Sequence, residues 1–278
     1  MRHRKQLTQT LVYFFLTLVL LFNLMPFFWM FVTSLKTESE ALRSPPTWLP
    51  ENPTLEPGYV GIWTRKNFGI YFLNSLVISL STAALSTLVG AFAGYGFSRF
   101  RFRGRTFLMT VFLASQMLPG VLLVGPYFKM LSRLGLYNTR LGLILALTTI
   151  TLPFSTWMLK GFLDTVPREM DEAAMVDGCS RRKAFARVVL PVITPGMVAT
   201  VIFAFLLAWG DLLWALCLMS TEEMTTVTLG LSRLVTEFRI IWPMMMAGSV
   251  IATVPPLVLY LLLQKYLIQG LTRGAVKA

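Results

Sequence analysis

The sequence predicts an all-α polytopic membrane protein with about six transmembrane helices. Three observations carry that reading. The 278 residues are 55% hydrophobic and only 14% charged, with a mean hydropathy of +0.65, whereas a soluble domain carries about 25% charged residues. Apolar runs recur at the length of about 20 residues that a helix needs to cross the hydrocarbon core. The basic residues behind the net charge of +12 crowd beside those runs, the pattern that orients membrane helices.

The runs lie at residues 11–32, 70–97, 107–128, 141–159, 196–219 and 242–268, within a membrane domain of residues 11–268. Each is read as a helix because only hydrogen-bonded backbone is tolerated in lipid. The first follows "MRHRK". It is longer than the roughly 7–15 residues of a signal-peptide core, so it reads as a retained span. Residues 1–10 and 269–278 are short tails.

An even number of spans puts both termini on one side. With that side inside, 16 of the 25 lysines and arginines are internal and 9 external. The dense "SRFRFRGR" loop, with Arg99, Arg101, Arg103 and Arg105, contributes most to the bias. Residues 33–69 form a long proline-rich connection on the other side, read as an ordered but irregular cap. No internal repeat is visible.

Composition removes several functions. The basic residues form no separate domain, which argues against nucleic-acid binding. Cys179 and Cys217 are far apart and at different depths, and the single histidine, His3, lies in the N-terminal tail. That leaves little for a disulfide, a metal site or histidine base chemistry.

Residues 160–195 interrupt the apolar pattern. "VPREMDEAAMVDG" reads as a short helix: Pro167 suits its first position, Glu169, Asp171 and Glu172 favour its positive end, and Gly178 supplies the left-handed stop. Ser180 is placed to cap a second helix, "RRKAFARVVL", and Pro191 and Pro195 mark the entry to the fifth span. Ala173 and Ala174 leave a smooth face that another backbone could approach. On physics alone the stretch reads equally well as a solvated loop with ordinary helix punctuation.

Glu172-Ala173-Ala174, then Gly178, Val188 and Leu190-Pro191, resembles the EAA loop of ABC importer permeases, with no spacing error. "FLNSLVIS" (72–79), "AGYGFSRFRFRGR" (93–105), "LGLYNTRLGLIL" (134–145), "LKGFLDTVPREMDEAAMVDG" (159–178) and "GLTRGAVKA" (270–278) are similar to the carbohydrate-type permeases of the maltose system. The resemblance covers nearly the whole chain. It implies a permease subunit of the prokaryotic inner membrane with both termini cytoplasmic. It implies a second permease subunit, as a heterodimer, two copies of a cytoplasmic ATPase and an extracytoplasmic binding protein that delivers the solute. The loop at 160–195 would be the coupling loop. Glu172 would contact the ATPase, Ala173 and Ala174 would pack closely against it, and Asp177 and Gly178 would make the turn. No G-x-x-x-x-G-K-[ST] phosphate loop is present. The chain is therefore expected to be no enzyme and to hold no cofactor, with ATP and Mg2+ used by the partner ATPase.

A solute path should be marked by polar residues that an isolated span would avoid. Asn74 and Ser75 mark the second span and Gln116 the third. In the fifth, Asp211 lies between Trp209 and Trp214, a chemistry suited to sugars. Gly210 stands where the family often has asparagine, which removes an amide from any contact carried over. Two readings stay open for each group: Asn74 and Ser75 as helix-to-helix hydrogen bonds, and Asp211 as a partner of a residue on the other subunit. Gly90 and Gly94 form a small-x-x-x-small pair, a helix-packing signal. The expected solute is a sugar. A polyol or glycerol-3-phosphate-like compound is the alternative, and an ion-coupled secondary transporter would have only Asp211 as an intramembrane relay.

Overall fold

The structure, a computed structural model, describes residues 2–235 and 240–275. In chain order it runs α1 (Arg2–Ser34), α2 (Glu38–Ala41), a π turn (Glu56–Val60), α3 (Gly61–Thr64), α4 (Phe68–Arg99), α5 (Arg105–Ala114) and α6 (Gly120–Arg133). It continues with α7 (Arg140–Asp164), α8 (Glu169–Val176), α9 (Arg181–Ala184), a π turn (Phe185–Val189), α10 (Leu190–Val192), α11 (Thr194–Trp209), α12 (Leu213–Leu218), α13 (Val227–Ser232) and α14 (Trp242–Ala275). Among the described residues the extended pairing is one isolated bridge, Val235 to Ile240.

Four helices are long and apolar enough to cross a membrane by themselves: residues 9–34 of α1, then α4, α7 and residues 242–266 of α14. The third and fifth runs expected from sequence differ. Residues 107–128 are not one straight helix. α5 and its 3-10 extension to Met117 meet α6 at a 100° bend. Leu118 precedes Pro119 and is extended (φ −75°, ψ 126°), as the proline ring demands of its predecessor. The run at 196–219 is likewise interrupted: α11 stops at Trp209, and residues 181–192 meet it at a 78° bend. Counting each bent pair as one span gives up to six. The short tail expected at 269–278 is helical through Ala275 as part of α14. Residues 276–278, with Lys277, and the loop charges Glu237 and Arg239 lie outside the described residues, as do the side chains of His3 and Arg273.

The chain divides into two compact units. The first comprises residues 1–68 and 230–254. Residues 11–28 of α1 are all exposed within the chain, an apolar surface that only lipid or another apolar surface can cover. The cap that follows is ordered by buried polar groups. Lys36 donates its ammonium to the Thr47 carbonyl and lies 4.7 Å from the centre of the Trp29 ring. Glu40 accepts from the Thr47 hydroxyl at 2.8 Å and the Glu51 N–H at 2.9 Å. Burial alone would raise the Glu40 pKa. Those two bonds and the charges of Lys36 and Arg43 hold it below the usual value.

The second unit comprises residues 69–229 and 255–278. Its cores gather Ile78, Leu147, Trp214, Leu218 and Leu229 in one cluster, and Tyr95, Leu159, Leu163, Phe185 and Val189 in another. α4 lies against α7 through the predicted glycine pair. A Cβ on Gly90 would sit 3.2 Å from the Ser155 Cβ, and one on Gly94 would sit 3.0 Å from the Lys160 nitrogen. The close approach also brings Ser86 and Thr151 into a buried hydroxyl–hydroxyl bond.

Candidate functional site

The site is built on α8. Its first turn carries Glu169, Asp171 and Glu172, whose charges suit the positive end of the helix. The first helical position, expected to be Pro167, is Glu169, with Arg168 at the N-cap, and Pro167 precedes the helix with its carbonyl accepting from the Met170 N–H. The helix stops at Asp177, and Gly178 takes φ +85°, the left-handed conformation that a Cβ would disfavour. The N–H of Cys179 then returns to the Ala174 carbonyl at 2.9 Å. Ser180 stands at the N-cap of α9 but makes no side-chain cap bond. Its backbone carbonyl receives the Ala184 N–H.

α8 is half-buried, and the division is sharp. Asp171 and Ala174, three positions apart, face inward. Glu172, Ala173, Val176, Asp177 and Gly178 are exposed. The smooth face expected from two alanines is therefore supplied by Ala173 alone, because Ala174 is used to seat the helix. Val176 is 87% exposed, an apolar group presented outward beside two carboxylates.

The anchor is Asp171. Its carboxylate takes Arg99 Nε at 2.7 Å on one oxygen and the Tyr95 hydroxyl at 2.8 Å on the other. The ion-paired side chains of Arg99 and Asp171 are 6% and 8% exposed. The rest of the Arg99 fork donates to the carbonyls of Leu163 and Val166, at 3.2 Å and 3.0 Å. Arg168 returns the grip, donating to the Ser98 carbonyl at 3.0 Å, and the Ser98 hydroxyl donates to Asp164 at 2.6 Å. A buried pair is favourable only when further hydrogen bonds support it, and here all three guanidinium nitrogens and both carboxylate oxygens have partners. Sequence reasoning counted Arg99 only as a loop charge and Asp171 only as a complement to the helix end. The i, i+3 spacing of Asp171 and Ala174 was the available signal that both face inward.

The residues proposed for a solute path are engaged in contacts within the protein itself. Asn74 is fully buried. Its amide donates to the carbonyls of Glu223 (2.7 Å) and Thr225 (2.9 Å), and its oxygen accepts from Arg140 Nε (2.8 Å). The Ser75 hydroxyl accepts from the Val227 N–H at 2.8 Å. Both therefore hold the connecting segment at 223–227, and the helix-to-helix bond is the one from Arg140 of α7 to Asn74. Trp209 is buried between Phe72 and Phe205, and Trp214 packs edge-on to Tyr127. The Asp211 carboxylate accepts from the backbone N–H groups of Ala215 (3.0 Å) and Trp214 (3.4 Å). It caps α12, which is why the apolar run breaks at Gly210. Gln116 alone is exposed. It sits at the α5–α6 bend, donating to the Ile150 carbonyl at 2.6 Å, next to Met117, which is 84% exposed. Backbone released from a helix at membrane depth is tolerated only where it lines a cavity or is covered by protein.

Comparison with known proteins agrees with this architecture. Residues 86–273 match the family described as "Binding-protein-dependent transport system inner membrane component". The chain is 37% identical over 277 residues to the inner membrane ABC transporter permease protein YcjP of Escherichia coli, covering 99% of both chains. It is 34% identical over 257 residues to the trehalose/maltose transport system permease protein MalG of Thermococcus litoralis, covering 91% of each. The fold matches a chain in the crystal structure of a bacterial ABC transporter that imports the acidic polysaccharide alginate. The TM-score is 0.78 at 18% identity, covering 94% of this chain and 97% of that one. The chain belongs to the inner-membrane permease components of binding-protein-dependent ABC transport systems.

Proposed function

We propose that this permease carries a saccharide inward, delivered by an extracytoplasmic binding protein, and that α8 is the element on which a separate ATPase acts. The observation that carries the coupling role is the division of α8. Asp171 and Ala174 lock it to the unit, while Glu172, Ala173, Val176 and Asp177 project outward. A partner gripping that outer face would move α4 with it, because Arg99 joins the two. The reading places α8 and both termini in the cytoplasm, with a second permease subunit and two ATPase copies completing the complex. ATP and Mg2+ would be used by those copies and not by this chain.

The solute class is supported by what relatives are named for: trehalose and maltose, and sulfoquinovosyl glycerol in a permease of Agrobacterium fabrum that is 35% identical over 261 residues. These favour a saccharide over a polyol or a glycerol-3-phosphate-like solute. An ion-coupled carrier gains no support from Asp211, whose carboxylate is engaged in capping. Of the path residues, Gln116 keeps its place as a candidate, beside the exposed helix break. Uptake of labelled sugar by proteoliposomes holding the whole complex tests the reading. Glu172→Lys is expected to abolish uptake while ATP hydrolysis continues, and unchanged uptake would overturn the coupling role.

A further inference from the structure

We infer that the turn between α4 and α5 is a binding site for the headgroup of an anionic phospholipid. The turn alternates aromatic and basic residues: Phe100, Arg101, Phe102, Arg103, then Gly104 and Arg105. The rings fold back on α4, with Phe100 6.4 Å from Tyr95 and Phe102 6.0 Å from Phe97, centre to centre. Arg101 and Arg103, between and after them, are exposed, and neither makes an ion pair or hydrogen bond among the described residues. Arg105 is half-buried, and the nearby Asp164 carboxylate is already held by Lys160 and Ser98. A cavity of about 320 Å3 opens among Arg101, Phe102, Gly104, Arg105, Thr106 and Phe107. Arg181, 5.0 Å from the centre of the Phe100 ring, extends the positive field.

The occupant follows from position and charge. α4 has 32 residues, roughly 48 Å at 1.5 Å per residue, against a hydrocarbon core of about 30 Å, so the turn at its end stands at the headgroup layer or just beyond it. Aromatic rings favour that layer, and a guanidinium fork matches a phosphate better than any other headgroup feature. A zwitterionic lipid also presents an ammonium, which uncommitted arginines repel. An anionic lipid such as phosphatidylglycerol presents the phosphate without that ammonium. The inference rests on the chain being a membrane permease and is independent of the solute it carries.

The test is native mass spectrometry of the assembled transporter, purified with equimolar phosphatidylglycerol and phosphatidylcholine of matched chains. The wild type is expected to retain phosphatidylglycerol preferentially. The triple variant Arg101→Gln, Arg103→Gln, Arg105→Gln is expected to lower the retained ratio at least about fivefold, roughly the weight of one arginine at a charged membrane surface. Lys129→Gln, an exposed charge on α6, should leave the ratio unchanged. An unaltered ratio in the triple variant overturns the site, and so does an equal fall in Lys129→Gln. Loss of the ATPase from the triple variant with the lipid ratio intact would also overturn it, by assigning the arginines to a protein contact. Should the triple variant not assemble, Arg101→Gln with Arg103→Gln carries the same test. Sugar uptake measured in parallel keeps a failure of the transport reading separate from a failure of the lipid site.

Discussion

The two ends of α4 are tied into their unit by different chemistry. Near its start, Asn74 and Ser75 hold the segment at 223–227 through neutral hydrogen bonds, with Arg140 donating to the amide oxygen. At its end, Arg99 and Tyr95 hold α8 through a buried carboxylate. The neutral junction satisfies backbone carbonyls that would otherwise be orphaned, and Asn74 and Ser75 bury no charge of their own. The charged junction desolvates two ions, so it is stiff only while both are present. A helix held this way is most vulnerable to substitution at the α8 end.

That asymmetry sets the order of effects. Arg99→Ala strips the partner from a buried carboxylate and should destabilise the assembled protein by about 3–5 kcal/mol, read as a loss of thermal stability in detergent. Arg99→Ala with Asp171→Ala together should recover part of it, and equal losses would deny that the two are paired. Gly94→Leu forces a side chain where a Cβ already meets the α7 backbone. About 1–3 kcal/mol is expected, whereas Gly96→Ala, with open space around it, should be tolerated. Asn74→Ala should cost about 1–3 kcal/mol by leaving buried carbonyls unpaired. If it cost more than Arg99→Ala, the comparison would be inverted. Asp211→Ala removes one helix cap and should cost about 1 kcal/mol, with Asp211→Asn costing less because its single amide oxygen keeps one of the two N–H bonds. Loss of uptake in Asp211→Asn with stability intact would instead return Asp211 to the solute path.

Much of the fold was legible because a membrane imposes length. α4 and α7 lie within a few residues of the predicted runs, and the Gly90–Gly94 pair is where α4 meets α7. Hydropathy could not show the breaks. Leu118-Pro119 and Gly210-Asp211 sit inside windows that remain apolar on average, and their effect is local: a proline restricting its predecessor, and a carboxylate capping the next helix. In the site, the left-handed Gly178 was readable from residue type alone. Ala174 was assigned outward because sequence shows composition and not which face is seated. Asp171 and Arg99 escaped notice because they are 72 positions apart, and an ion pair across that separation has no signature in one sequence. The exposure of Val176 likewise has no signature in residue type.

The proposed coupling role requires that the outward face of α8 meet the ATPase. The direct measurement is cysteine cross-linking in the intact complex. Ala173→Cys, introduced where the free cysteines Cys179 and Cys217 have been replaced by alanine, would be treated with a short bifunctional reagent through the nucleotide cycle. The predicted result is a product joining this chain to the ATPase, with a yield that changes between the nucleotide-free and ATP-bound states. Labelling of that cysteine by an impermeant reagent from outside sealed cells, with no ATPase product in any state, would contradict it.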